Sequence, residues 1–234
     1  MGKNLTQQKR GKASPRYRAP SFRYKGQAKI PSYSKGLISD IIKCSGHSAP
    51  LLKMTYEDRT TGFIIAAEGI KVNDEVLIGE QSELSVGNVL PLKKIPEGTS
   101  IFCVELTPGD GGKLVRSSGT AARVISRLKN KVIIKLPSKK QKELHPDCRA
   151  IIGMVAGSGR TEKPFVKAGN KHKAMKAKNK YWPSVSGTSM NSVDHPFGGS
   201  KSSSKGRPTI APKNAPPGRK VGKLHPRRTG RTKG

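Results

Sequence analysis

The chain has 234 residues and a net charge of +31, from 46 Lys and Arg against 15 Asp and Glu, with 33% apolar and 5% aromatic residues. Such a charge favours a polyanionic partner, either nucleic acid or an acidic membrane surface, and the apolar content is thin for a single core of this size. No run of eighteen apolar residues is available to span a bilayer, and the N-terminus lacks the apolar stretch of a secretory signal.

The charge is uneven. Residues 1–36 carry +10 and no acid, residues 37–162 only +4, and residues 163–234 a further +17. An ordinary globular composition is therefore flanked by two polycationic arms. Cys44, Cys103 and Cys148 are odd in number and far apart, which argues against a disulfide framework and fits a reducing compartment. The expectation is a soluble intracellular protein.

In the first arm, 1–36, the opening Met1-Gly2-Lys3-Asn4-Leu5-Thr6 matches a loose myristoylation pattern, against which an ordinary basic terminus is preferred. Tyr17, Phe22, Tyr24 and Tyr33 punctuate the charge, and a purely solvating tail has no use for them. The arm is expected to order on entering RNA or DNA, with Arg18, Arg23 and Tyr24 as candidate contacts.

The centre reads as short strands separated by turn signals. Apolar runs occur at 51–54, 62–66, 74–78, 88–90, 101–106, 121–125, 131–136 and 148–155. In the clearest, Val132, Ile134 and Leu136 point one way and Lys131 and Lys135 the other, as a half-buried strand requires. Lys129-Asn130 is short enough for a hairpin turn. Pro91, Pro96 and Glu97-Gly98 mark a division between two small barrels, 37–95 and 96–162, with OB-like and SH3-like barrels as candidates. The predicted class is all-β.

Pro108-Gly109-Asp110-Gly111-Gly112-Lys113 lacks the Ser or Thr of a phosphate-binding Walker loop. It reads instead as a turn whose amides approach phosphates, with Lys113, Arg116 and Ser117 beside it and Arg123 and Arg149 further on. Gly157-Ser158-Gly159-Arg160 lacks the third glycine of a dinucleotide fingerprint. Cys44-x-x-His47 and His145-x-x-Cys148 have zinc-like local spacings. About a hundred residues separate the pairs, and buried cysteines beside turn histidines are the preferred reading.

The last arm, 163–234, has scattered apolar residues and abundant Gly and Pro, too little to offset backbone entropy of about 1–2 kcal/mol per residue on its own. Residues 171–180 could form a short helix, ended by Asn179 and Trp182-Pro183. Lys171, Lys173, Arg219, Lys220, Arg227 and Arg228 are candidate phosphate contacts, and Trp182 either stacks on a base or fills a local apolar gap. Gly187–Gly199 holds the arm's single acid, Asp194, next to His195. An imidazole beside a carboxylate invites a general acid–base reading. Sequence neighbours need not face each other, however, and no nucleophile context is nearby.

Several stretches, taken in order, resemble the universal large-subunit ribosomal protein L-two family in its archaeal form. They are Arg18-Ala19-Pro20-Ser21-Phe22-Arg23-Tyr24, the run 90–99, Gly111 to Thr120, Cys148 to Gly153, Met190-Asn191, Val193-Asp194-His195-Pro196-Phe197-Gly198-Gly199, and Asn214 to Gly222. The resemblance implies an OB-fold barrel followed by an SH3-like barrel, with long irregular basic extensions running into ribosomal RNA. It implies a structural role near the peptidyl-transferase centre, supporting subunit association and transfer-RNA binding, in cytoplasmic ribosomes. The implied partners are large-subunit ribosomal RNA and neighbouring ribosomal proteins, with the small subunit and transfer RNA indirectly involved. No protein-borne chemistry, cofactor, metal or membrane contact is implied.

By the same resemblance, Met190, Asn191, Asp194, His195, Gly198 and Gly199 take contact or positioning roles toward the catalytic RNA. The chain departs from the family pattern here: Ser186 replaces an Arg, Ser189 an Ala, and Gly198-Gly199-Ser200 a triple glycine. Ser186 removes a potential bidentate contact. Charge alone also permits a basic architectural DNA-binding protein, whereas an RNA-modifying enzyme needs a catalytic constellation that the residues do not supply.

Overall fold

A computed structural model describes residues 2–200, 205 and 208–229. The chain divides into two compact units: Ser21–Val166, and a second formed by Met1–Pro20 with Lys167–Gly234.

The first unit is built from ten strands: β1 (Lys35–Ile42), β2 (Leu51–Thr55), β3 (Thr61–Ile65), β4 (Glu75–Leu77), β5 (Val89–Pro91), β6 (Ser100–Phe102), β7 (Ala122–Leu128), β8 (Lys131–Lys135), β9 (Gln141–Leu144) and β10 (Arg149–Ile152). They form two antiparallel sheets, ordered β3-β2-β1-β4 and β5-β10-β6-β7-β8-β9. The all-β expectation is borne out. Among the described residues, the strand pairings close neither sheet: β3 and β4 are the edges of one, β5 and β9 of the other.

Two strands are illegible as apolar runs. β1 begins with period-two burial at Gly36 and Ile38. Ser39 is then an extra residue between the Ile38–Met54 and Asp40–Lys53 pairs, and its hydroxyl donates to the Lys53 carbonyl at 2.9 Å. This bulge breaks the alternation. β9, Gln141-Lys142-Glu143-Leu144, buries only Leu144, as suits a polar edge strand. The expected β7–β8 hairpin forms, with Leu128 opposite Lys131 across Lys129-Asn130, and Val132 and Ile134 are buried.

Two apolar cores lie within this unit. One gathers Ile38, Leu51, Met54, Ile65 and Val76 from the first sheet; the other gathers Ile95, Ala122, Val124, Val132 and Ile134. Three strands of the second sheet serve both. Val89, Phe102 and Ile151 enter the first core, while their neighbours Leu90, Ile101 and Ile152 enter the second. Adjacent residues on a strand point to opposite faces, so β5, β6 and β10 are buried on both sides. This explains their continuous rather than alternating apolar sequences.

The segment entering β1 is already part of the unit. Ala28 forms a parallel bridge with Phe63, and Ala28 and Ile30 are buried in the first core. Tyr33 stacks on Tyr56 with ring centroids 4.3 Å apart. Of the aromatics in this stretch, Phe22 stands out at 81% exposed.

Glu105, also buried, ties the unit together. It accepts hydrogen bonds from the amides of Gly109 (3.2 Å), Gly111 (3.1 Å) and Arg149 (2.9 Å), and from the Arg149 guanidinium at 2.8 Å. Arg149 Nη1 continues to the Pro31 carbonyl at 2.6 Å. Burial pushes the Glu105 carboxyl up, but the bonds from Arg149 and the Gly109 amide outweigh it and hold its pKa below the ordinary value.

This linkage has a defined sign. The stability contributed by Glu105 is complete above the ordinary carboxylate pKa of 4.5 and is lost as pH falls through the lower folded value. Glu105→Gln is expected to lose about 3–5 kcal/mol at neutral pH, because it strands the Arg149 charge, and to flatten the acid limb of stability. Denaturant titrations of the full-length chain at several pH values read both effects.

Candidate nucleic-acid interface

The cations singled out in the sequence, together with Ser117, fall into two groups. Lys173, Arg219, Lys220, Arg227 and Arg228 are exposed in the terminal unit, as are Lys113, Ser117 and Arg123 in the β unit. Their exposure leaves them accessible from outside the fold. Arg149 and Arg116 are instead turned inward: Arg149 holds Glu105 and Pro31, and Arg116 Nη2 donates to the Ala28 carbonyl at 2.8 Å. Arg18 donates to the Ala13 carbonyl at 2.7 Å, and Arg23 lies over the Phe22 ring at 5.3 Å. Tyr24 is half-buried, its ring so close to Gly46 that a Cβ there would lie 2.8 Å from it.

The glycine-rich turn differs from its expected use. The amides of Gly109 and Gly111 donate to Glu105, and that of Gly112 donates to Asp110 Oδ1 at 3.0 Å. Asp110 Oδ2 accepts from Leu106 at 3.0 Å. Internal carboxylates therefore consume the amides that the composition suggests for phosphates. What the turn offers outward is the Lys113 ammonium, 3.6 Å from Asp110 and 59% exposed.

The two zinc-spaced pairs do not converge. Cys44 belongs to the first core and Cys148 to the second. Among the described residues, no group of three or more His, Cys, Asp or Glu side chains is placed to hold a metal. Burial also raises the Cys148 thiol pKa, disfavouring the thiolate that a metal requires. No helix among the described residues is long and apolar enough to cross a membrane.

In the terminal unit, helix α1 (Thr6–Gly11) precedes helix α2 (Ala168–Ala177), and two short strands, β11 (Ile210–Ala211) and β12 (Lys223–Leu224), pair in parallel. α2 starts three residues before the expected 171–180 helix, and Asn179, in the left-handed region at φ 53°, follows its end. Trp182 sits beside this helix, with Lys171 Nζ 5.6 Å from its ring centroid and the His172 ring 6.5 Å away. Two predicted contacts, Lys171 and Trp182, thus share one half-buried cation–aromatic cluster.

The loop around His195 is compact and braced by its own backbone. The amides of Asp194 and His195 donate to the Asn191 carbonyl at 3.0 and 3.2 Å, Gly198 to His195 at 2.9 Å, and Gly199 to Met190 at 3.1 Å. A Cβ on Gly198 would lie 2.4 Å from both the Met190 and Asn191 carbonyl oxygens, so only glycine closes this turn. The loop therefore brings Met190, Asn191, Asp194, His195, Gly198 and Gly199 together.

Within it, His195 Nδ1 accepts from the Phe197 amide at 3.0 Å, and its ring tilts against the Phe197 ring at 5.2 Å. The Gly187 backbone passes directly over the imidazole; a Cβ there would come within 2.3 Å of the ring. Burial lowers the His195 pKa from its ordinary value of 6.5, favouring the neutral ring. The Asp194 carboxylate instead makes an ion pair with Lys3 Nζ at 3.5 Å. Adjacency in sequence does not make a catalytic pair here. A neutral imidazole that accepts at Nδ1 carries its proton on Nε2, which leaves that nitrogen as a donor.

Sequence reasoning singled out the stretch from Gly187 without the approach of Gly187 to His195, and it missed Lys3. The first is legible only when the loop closes, and the second lies nearly the whole chain length away from Asp194.

Comparisons with known proteins find relatives of this chain. The family described as "Ribosomal Proteins L2, C-terminal domain" matches residues 85–217. The chain is 49% identical to the large ribosomal subunit protein uL2 of Archaeoglobus fulgidus over 234 residues, covering 98% of this chain and 99% of that protein. It is 47% identical to uL2 of Methanothermobacter thermautotrophicus, covering 99% of both chains, and 47% identical to uL2 of Haloarcula marismortui, covering 99% and 98%.

The His195 environment can be checked directly. In an NMR pH titration of the full-length chain, the His195 ring is expected to titrate below 6.5. Gly187→Ala is expected to displace the ring toward water and return its titration toward the ordinary value.

Proposed function

The chain belongs to the ribosomal protein L2 family in its archaeal form, and from that membership we propose that it is a structural constituent of the large ribosomal subunit. It binds ribosomal RNA, organises the region around the peptidyl-transferase centre, and supports subunit association and transfer-RNA binding. The carrying observation is likeness to archaeal uL2 proteins along nearly the whole chain, with 49% identity over 98% of its length to one of them. Work in cytoplasmic ribosomes, beside neighbouring ribosomal proteins, follows from this reading.

The chain is read as an OB-fold barrel at 37–95 followed by an SH3-like barrel at 96–162, with β5, inside the first range, pairing into the sheet of the second. The proposal rests on the family and on the fit of two adjacent cores with short strands. Segments 1–36 and 163–234 are the basic extensions. Exposed Lys113, Arg123, Lys173, Arg219, Lys220, Arg227 and Arg228 neutralise phosphates and release counterions. The loop at 190–199 works by shape and hydrogen bonding, with the reaction left to the RNA.

Removal of residues 167–234 is expected to preserve the sheet signal in circular dichroism but to abolish retention in large subunits washed at high salt. Wild-type chain absent from washed large subunits would overturn the proposed function. Binding of the free protein to ribosomal RNA fragments should weaken with salt, the slope of log K against log salt steepening by about 0.7–0.9 for each phosphate neutralised. Competition with duplex DNA at moderate salt separates this reading from DNA packaging.

His195→Ala in fully assembled particles is expected to leave peptide-bond formation operating, because the ring's role is contact rather than proton transfer. Single-turnover rates in particles of verified composition measure this.

A further inference from the structure

The Lys3 amide donates to the Val193 carbonyl at 2.7 Å, and its ammonium lies 3.5 Å from the Asp194 carboxylate. The residues that follow continue along the same loop. Asn4, Thr6 and Lys9 face Val185, Ser189, Met190, Asn191 and Asp194 across a polar hollow of about 370 Å³. The segment itself is held in shape: the Gln8 side chain accepts from the Leu5 amide at 2.8 Å, and Leu5 is buried. One stretch of the N-terminus thus meets the His195 loop through a backbone bond, an ion pair and a shared wall.

We propose that the N-terminal segment is the positioning brace of the His195 loop, with Lys3 as its key and Asp194 as its receptor. The proposal rests on the RNA-binding reading of that loop and adds what sets its orientation. It also accounts for the single acid of the last arm. Facing RNA, Asp194 would repel phosphate; facing Lys3, it ties the loop to the N-terminal segment, while the His195 ring is held by its contacts with Gly187 and Phe197. The ion pair alone is weak, since Lys3 is 65% and Asp194 41% exposed. Its effect is to set the register of the amide bond beside it. Lys3 touches no reacting atom and acts through the loop.

The test uses full-length chains assembled into large subunits: wild type, Lys3→Glu, Asp194→Lys, and the double charge swap. The readouts are retention after a high-salt wash and hydroxyl-radical footprinting of the RNA nearest the loop. A brace predicts that both single variants lower retention about threefold or alter the footprint, and that the swap restores both. A role limited to general charge predicts the opposite for Asp194→Lys, which adds positive charge and should bind RNA more tightly. Strengthened retention of Asp194→Lys, wild-type behaviour of both single variants, or no recovery in the swap overturns the brace. Absence of the wild-type chain from washed subunits overturns the underlying RNA-binding reading instead, so the two failures are distinguishable.

Discussion

The β unit depends on a carboxylate taken out of water. Glu105 has no solvent contact, yet it is ionised because its oxygens meet three backbone amides and the Arg149 guanidinium. These bonds fix the turn at 109–111 and the start of β10 in one stroke. Arg149 then reaches the Pro31 carbonyl, in the segment that leads into the first sheet. A buried ion pair contributes less to net stability than it seems, because desolvation offsets much of the attraction. Its contribution here is to specify one arrangement, since any displacement strands either a charge or an amide.

The same economy of acids recurs in the terminal unit. A chain of net charge +31 has few carboxylates to use. Glu105 and Asp110 organise one glycine-rich turn, and Asp194 engages the N-terminal segment. In each case the acid meets a cation or amide of the protein itself. The exposed cations on both units are left available to a polyanion, while internally committed ones such as Arg149 and Arg116 hold the fold.

Much of this was legible in the sequence, for reasons that can be stated. Val132 and Ile134 alternate with lysines because their strand has one wet face. The run Ala150-Ile151-Ile152 shows no such alternation because β10 separates two cores. β1 was hidden by the Ser39 bulge and β9 by its polar edge. The loop at 190–199 was visible as a Gly- and Pro-rich stretch around a lone acid. The Lys3 contact was not visible, because pairing across nearly the whole chain leaves no local periodicity. The pairing of Arg149 with Glu105 is hidden for a related reason: the charge of Arg149 is legible, but its partner 44 residues away is not.

The sharing of β5, β6 and β10 between two cores bears on how the chain is made. The first core needs Val89, Phe102, Ile151 and Val155 for closure, although most of its wall lies between Ala28 and Ile78. At a synthesis rate of about 5–20 residues per second, the growing chain waits roughly 3–13 s between Val89 and Val155 with that face open. Such long-range closure is slow and leaves apolar surface available to wrong partners in the interval.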